Sequence, residues 1–269
     1  SSDVCSSDLK YNLTPSTILR GSAGKGYRTA NIIAENSYLL ATSAQLFIAG
    51  DIRQEEAWNY GLNLTQTVDI SDRELNISLD FYRTDFENQV VIDRDQDFQE
   101  IFIYNLNGES FSNSYQVEAM YELIPRLDVV AAFRYSDVRM TYNGELRREP
   151  LVNRYKGLLN LSYKTNLEKW QFDLTGQLNG DARLPDTKSN PLAYQRPENS
   201  PVYGIINGQI TKYFRMWNVY VGAENLTDFT QNDPVIAANE PFGEYFDSSL
   251  VWGPIMGRKF YVGVRFQID

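Results

Sequence analysis

Hydrophobic and polar residues alternate with a period of two along most of the chain. Phe260, Val262, Val264, Phe266 and Ile268 share one parity, while Lys259, Tyr261, Gly263, Arg265 and Gln267 share the other. Successive side chains of a strand point to opposite faces. The segment therefore predicts a strand with one apolar face and one largely polar face. The pattern recurs upstream. Trp170, Phe172, Leu174 and Leu178 alternate with Gln171, Asp173, Gln177 and Asn179, and Leu159, Leu161 and Tyr163 with Asn160, Ser162 and Lys164. Similar runs start near Trp58, Leu75, Tyr115, Leu127 and Trp217, and two weaker ones cover 17–24 and 202–213. The sum is about ten strands, each near the roughly 9–11 residues that a tilted membrane strand needs.

The connections alternate in length. Short turns are predicted at 69–73, 124–126, 165–169 and 214–216, and long loops at 29–55, 93–111, 143–153, 181–201 and 225–257. Short turns at one end and long loops at the other describe an outer-membrane barrel. A soluble sandwich with Greek-key crossings has no reason to sort its loops this way. Tyr121, Tyr163, Trp170 and Trp217 lie beside short turns on the apolar parity, whereas Trp58, Tyr60, Tyr115, Tyr135 and Tyr155 lie toward the long loops. Two bands of amphipathic rings fit two membrane–water interfaces.

Composition narrows the chemistry. The 269 residues carry a net charge of −10, with one Cys and no His. An acidic chain without a basic patch is a poor binder of nucleic acid, so none is expected as a partner. Without His, the commonest transition-metal ligand and general base are missing. A Ser-His-Asp or Cys-His enzyme is excluded, and one Cys makes no internal disulfide or thiolate zinc site. No catalytic residue, metal or cofactor is expected. No run of about 18 apolar residues offers a membrane helix. Residues 1–9, Ser1-Ser2-Asp3-Val4-Cys5-Ser6-Ser7-Asp8-Leu9, nearly duplicate a short unit. They do not read as a signal peptide and are set apart from the fold as a cloning or sequence-assembly scar. Gly21–Gly26 fits neither phosphate-loop spacing. Asp93, Asp95 and Asp97 lack the Gly and Glu of a calcium loop, since Phe98 and Tyr104 stand there. A solvated acidic loop is expected.

Four segments resemble TonB-dependent outer-membrane receptors. Gly24-Lys25-Gly26-Tyr27-Arg28-Thr29-Ala30 resembles the strand end and Gly-Phe-Arg loop start of that family, and Glu56-Ala57-Trp58-Asn59-Tyr60-Gly61 its next strand. Gly222-Ala223-Glu224-Asn225-Leu226-Thr227-Asp228 resembles its Glu-Asn-Leu-Phe-Asp segment, with Thr227 in place of Phe. Gly257-Arg258-Lys259-Phe260-Tyr261-Val262-Gly263-Val264-Arg265-Phe266 resembles its closing strand. That strand usually ends on an aromatic residue, but here Gln267, Ile268 and Asp269 follow Phe266.

The resemblance implies an all-β, antiparallel, up-and-down transmembrane barrel of about 22 strands. Residues 10–269 would be its C-terminal part. The plug, the TonB box and the N-terminal strands are expected outside these residues. The strands around Ile18 and Val262 would then form open edges, which need further strands or each other. The resemblance also implies an outer-membrane location, a lipid-facing apolar parity, a monomeric barrel and the TonB complex as partner. The cargo would be scarce and bulky, an iron–siderophore complex first, with cobalamin, haem or oligosaccharide as alternatives. Without His, the protein would hold a chelate by its organic shell. Loop residues Arg28, Tyr194, Arg196, Phe246 and Trp252 offer stacking or charge for such a ligand. Asp80, Glu118, Glu122, Asp128, Arg134, Lys156, Lys164, Asp173, Glu224 and Arg265 fall on the polar parity, which would face the lumen and plug. A hydrated wall with mutually offsetting charges would place them there as well. The competing reading is a secreted soluble β-rich module that binds carbohydrate. An enzyme with paired carboxylates ranks behind both, because nothing sets two carboxylates opposite each other for that chemistry.

Overall fold

The computed structural model describes residues 3–266. The expectations placed on Gln267, Ile268 and Asp269 lie outside the described residues. In chain order the first strands are β1 (Asp3–Thr14), β2 (Thr17–Arg28), β3 (Gln45–Ile48), β4 (Glu55–Ile70) and β5 (Arg73–Asn88). Next come β6 (Val90–Asp97), β7 (Glu100–Asn105), β8 (Ser110–Ile124), β9 (Leu127–Tyr142) and β10 (Glu145–Arg148). The last are β11 (Tyr155–Lys164), β12 (Trp170–Asn179), β13 (Tyr203–Tyr213), β14 (Trp217–Glu224) and β15 (Lys259–Phe266). A short helix, α1 (Ile32–Glu35), and a 3-10 turn, Ser37–Leu40, lie in the first long loop.

The long strands form one continuous wall in the order β1-β2-β4-β5-β8-β9-β11-β12-β13-β14-β15, with β10 paired to β9. Each wall strand pairs antiparallel with the next. This is the up-and-down all-β wall that the alternation predicts. All ten expected strands are present. The β4–β5 turn is two residues, Ser71 (φ 52°) and Asp72 (φ 62°). Left-handed backbone at both positions matches the twist of the flanking strands.

Register carries the parity across the wall. Leu62, Phe81, Tyr115, Tyr135 and Tyr155 stand in one row over five strands. Tyr121, Val129, Leu161, Leu174, Gly208, Ala223 and Phe260 form a second row over seven strands. The opposite face reads Asn63, Asp80, Gln116, Arg134, Lys156, Asn179 and Tyr203. Most large side chains of the apolar face stand in the open: Leu62 is 55%, Leu174 45%, Phe260 73% and Val262 75% exposed. A soluble sandwich would press such a face against a second layer.

The buried apolar residues lie instead at the long-loop end. Leu39, Ile101 and Ile103 form one cluster, Phe98, Ile236, Ala237 and Leu250 another, and Val91, Leu106, Met140 and Tyr142 a third. A small sheet in the order β3-β7-β6 lies among them, with β3 and β7 parallel. The long loops pack on one another, while the wall has no apolar core of its own among the described residues.

Three expectations change. The segment set apart as a scar, as far as it is described, continues β1, whose Ser6–Leu9 pair with Gly21–Gly24. The wall's first edge is therefore β1 and not the strand around Ile18. The stretch 93–111, expected as plain loop, contains most of β6 and all of β7. Its acidic residues are not solvated as a group: Asp93 is fully buried and accepts hydrogen bonds from Gln96 Nε2 and Tyr104 Oη. Asp95 is half-buried, and Asp97 stays exposed.

Candidate functional site

Distant loops are joined by buried charges. Arg94 Nη2 donates to Asp247 Oδ2 at 2.5 Å and Arg94 Nη1 to Ser249 Oγ at 2.6 Å. Asp247 also bridges the loops through its backbone, to Thr42 and to Ile236. Arg183 Nη1 donates to both carboxylate oxygens of Asp95, at 2.9 and 2.7 Å. The Arg183 guanidinium lies 5.4 Å from the centre of the Tyr142 ring. These charges are desolvated, so each depends on its partner.

Clefts open among the loops, and two of them hold loop candidates. The first, about 320 Å³, is lined by Arg28, Tyr38, Arg94, Tyr142 and Glu149 among others. Arg28 is anchored there by Glu55, with Nε to Oε2 at 2.7 Å, and pairs with Glu35 at 3.2 Å. Burial pushes the Glu149 carboxyl above the usual carboxylate range, against the opposing pull of Arg183. Burial likewise lifts Tyr104, beside this region, to about 12.

The second cleft, about 270 Å³, lies between the 181–201 and 225–257 loops and holds both Arg196 and Trp252. Arg196 Nη2 donates to the Asp233 carbonyl at 3.2 Å. Trp252 tilts against Tyr203 and Phe229, and its backbone N–H donates to Gln231 Oε1 at 2.8 Å. The structure thus brings two of the five loop candidates together. Arg28 lines the other cleft. Tyr194 packs on the Phe98 cluster and on Tyr245, with ring centres 5.5 Å apart. Phe246 uses its carbonyl to accept from the Ser43 N–H.

The polar-parity candidates lie on the face opposite the apolar rows. Asp80 accepts from Asn63 Nδ2 at 2.7 Å and Asp173 from Ser162 Oγ at 2.7 Å. Glu224 stands opposite Lys259, and Arg265 opposite Asn218. Glu118 stands between Ser78 and Ala132. Arg134 faces Lys156 directly, and Glu122 faces Asp128. Like charges directly opposite destabilise a strand pair, so these neighbours do not offset one another. Lys164 stands opposite Gln171.

Sequence reading missed Gln231, Glu149 and Arg183. Gln231 is buried, and its amide ties Leu250 to Trp252. Glu149 and Arg183 sit in long loops without periodicity, where only the three-dimensional path brings them into or beside the first cleft.

Comparison with known proteins agrees with this architecture. The family model described as TonB dependent receptor-like, beta-barrel, matches residues 6–226. No curated protein matches the chain in sequence. Among solved structures, the copper transporter OprC is similar with a TM-score of 0.69 at 15% identity, over 96% of this chain and 38% of that one. The ferric enterobactin receptor PfeA of Pseudomonas aeruginosa gives 0.68 at 15%, over 97% and 39%. The siderophore receptor PiuA of Acinetobacter baumannii gives 0.61 at 14%, over 97% and 35%. The chain spans about two fifths of the length of these receptors.

Proposed function

The chain belongs to the TonB-dependent receptor β-barrel family, and on that premise we propose that it is the C-terminal part of an outer-membrane active-transport receptor. The observation that carries the reading is the division of apolar surface. The wall exposes its greasy rows, while the buried clusters gather in the long loops. In lipid the exposed rows meet acyl chains, and closure of the barrel by further strands satisfies β1 and β15.

The long loops face outward and capture the cargo. An iron–siderophore complex is the favoured class, because the similar structures include siderophore receptors. OprC keeps a copper cargo as the second option. Arg196 and Trp252 supply charge and a ring face in one cleft, which suits an anionic aromatic chelate. Arg28 supplies a second cation at the neighbouring cleft. Asp80, Glu118, Arg134, Lys156, Asp173, Glu224 and Arg265 line the lumen, where they meet the plug and the passing cargo. TonB energises transport through the part of the polypeptide that precedes these strands. The barrel itself performs no catalysis.

Uptake of radioactive iron from a panel of ferric siderophores tests the reading. Cells carrying the receptor should take up at least one chelate, and deletion of TonB should abolish that uptake. Equal uptake with and without TonB would overturn it. Arg196→Ala and Trp252→Ala should each weaken chelate binding by about 2 kcal/mol if they anchor it.

A further inference from the structure

The short-turn end of β12, β13 and β14 carries a basic and aromatic cluster that capture and transport do not use. Lys212 stands on the apolar face, opposite Trp170 in β12 and Val219 in β14. Its Nζ lies 4.6 Å from the centre of the Trp170 ring and 5.4 Å from that of Phe214. Phe214 stacks on Trp217 with ring centres 4.0 Å apart. Lys169 and Arg215 occupy the two adjoining turns, which are tied where the Tyr213 N–H donates to the Lys169 carbonyl at 2.9 Å. Among the described residues, Lys169, Lys212 and Arg215 have no carboxylate partner, whereas Lys164 nearby reaches Glu168 at 4.0 Å.

Among the described residues these three cations stand together without a carboxylate between them, so the cluster can take an anion from outside the chain. The position says which kind. Aromatic rings at a strand end mark the headgroup level of the bilayer. Two ring faces hold the ammonium at that height, on the side that meets lipid and not the lumen. Basic residues placed there recognise anionic lipid headgroups.

We propose that Lys212, framed by Trp170 and Phe214 and flanked by Lys169 and Arg215, forms a site for the phosphate headgroup of an anionic phospholipid in the leaflet on the short-turn side. The site rests on the barrel reading above.

The test uses the complete receptor containing this chain, in nanodiscs of phosphatidylcholine doped with phosphatidylglycerol. Native mass spectrometry then counts the lipid retained after partial delipidation. Phosphatidylglycerol should be retained in preference, and Lys212→Gln should lower that preference about fivefold, the factor one basic residue contributes near a charged surface. Lys212→Arg should keep it. Lys169→Gln combined with Arg215→Gln, both in turns, should lower it without touching the wall. Lys188→Gln, on an exposed long loop, should leave it unchanged. An unchanged preference in Lys212→Gln, or an equal loss in Lys188→Gln, would overturn the site. Displacement of the lipid by inorganic phosphate would also overturn it, because the ligand would then be the free anion. Heat-modifiable electrophoretic mobility reads assembly separately. A receptor that never assembles refutes the barrel, whereas an assembled receptor without lipid preference refutes only the site.

Discussion

Arg94 and Asp247 are 153 residues apart in sequence, yet their side chains form a buried ion pair at 2.5 Å. The pair joins the strand after the β5 end to the last long loop. Removing one partner of a buried pair leaves an uncompensated charge and costs about 3–5 kcal/mol. Asp247→Ala should therefore loosen the loop assembly while the wall stays intact. Amide exchange should accelerate over 90–97 and 236–250 and stay slow in β11–β13. Unchanged exchange over 90–97 would show that the pair does not hold the loops together.

Leu161 and Leu174 face each other across β11 and β12, and on the reverse face Asn160 Nδ2 donates to Thr175 Oγ1 at 2.7 Å. A cation on the lipid side near the midplane costs about 2–4 kcal/mol. Leu161→Arg or Leu174→Arg should block assembly into outer membranes, and Asn160→Arg should be tolerated. Similar assembly yields at both parities would contradict a lipid-facing apolar side.

Glu149 gives the loops a pH dependence. Its carboxyl titrates above its ordinary value of 4.5 because burial disfavours the charged form. The folded loops then bind a proton more readily than the unfolded chain. The contribution of Glu149 to their stability is greatest below the ordinary value and is lost as pH rises from there through the folded value. Glu149→Gln should protect the loops more than wild type at neutral pH, and the gap should close in acid. Protection factors from amide exchange, corrected for intrinsic rates at each pH, measure this. A gap that widens in acid would reverse the sign.

Gly108 adopts φ +132°, and a Cβ there would lie 2.6 Å from Thr141 Oγ1. Backbone of this kind costs a residue with a side chain about 1–3 kcal/mol, before the clash is counted. Gly108→Ala should expose the 105–110 connection to limited proteolysis. Cleavage rates equal to wild type would count against a tight approach of this connection to β9.

Most of the wall was legible because its strands repeat one local rule. Trp170–Asn179 alternates strictly, and its register with β11 and β13 follows from keeping Leu174 and Phe172 on one face. Residues 3–9 escaped that rule. Ser6, Ser7 and Asp8 have no apolar parity of their own, and only pairing with β2 reveals them as strand. The loop sheet escaped for a different reason. β3 and β7 pair in parallel across more than fifty residues, and no local pattern encodes such a partner. The second cleft was half legible. Arg196 and Trp252 stand out by residue type, but Gln231, which ties Trp252 in place, is an ordinary amide in an aperiodic loop.

The water-excluded centres of the molecule sit in its loops. The wall takes its cohesion from strand pairing and from whatever solvent bathes its greasy rows, whereas the loop assembly coheres by itself. Thinning or replacing the bilayer would therefore strain the wall first. The loop surface would keep its shape and could diversify in sequence without renegotiating the wall beneath it.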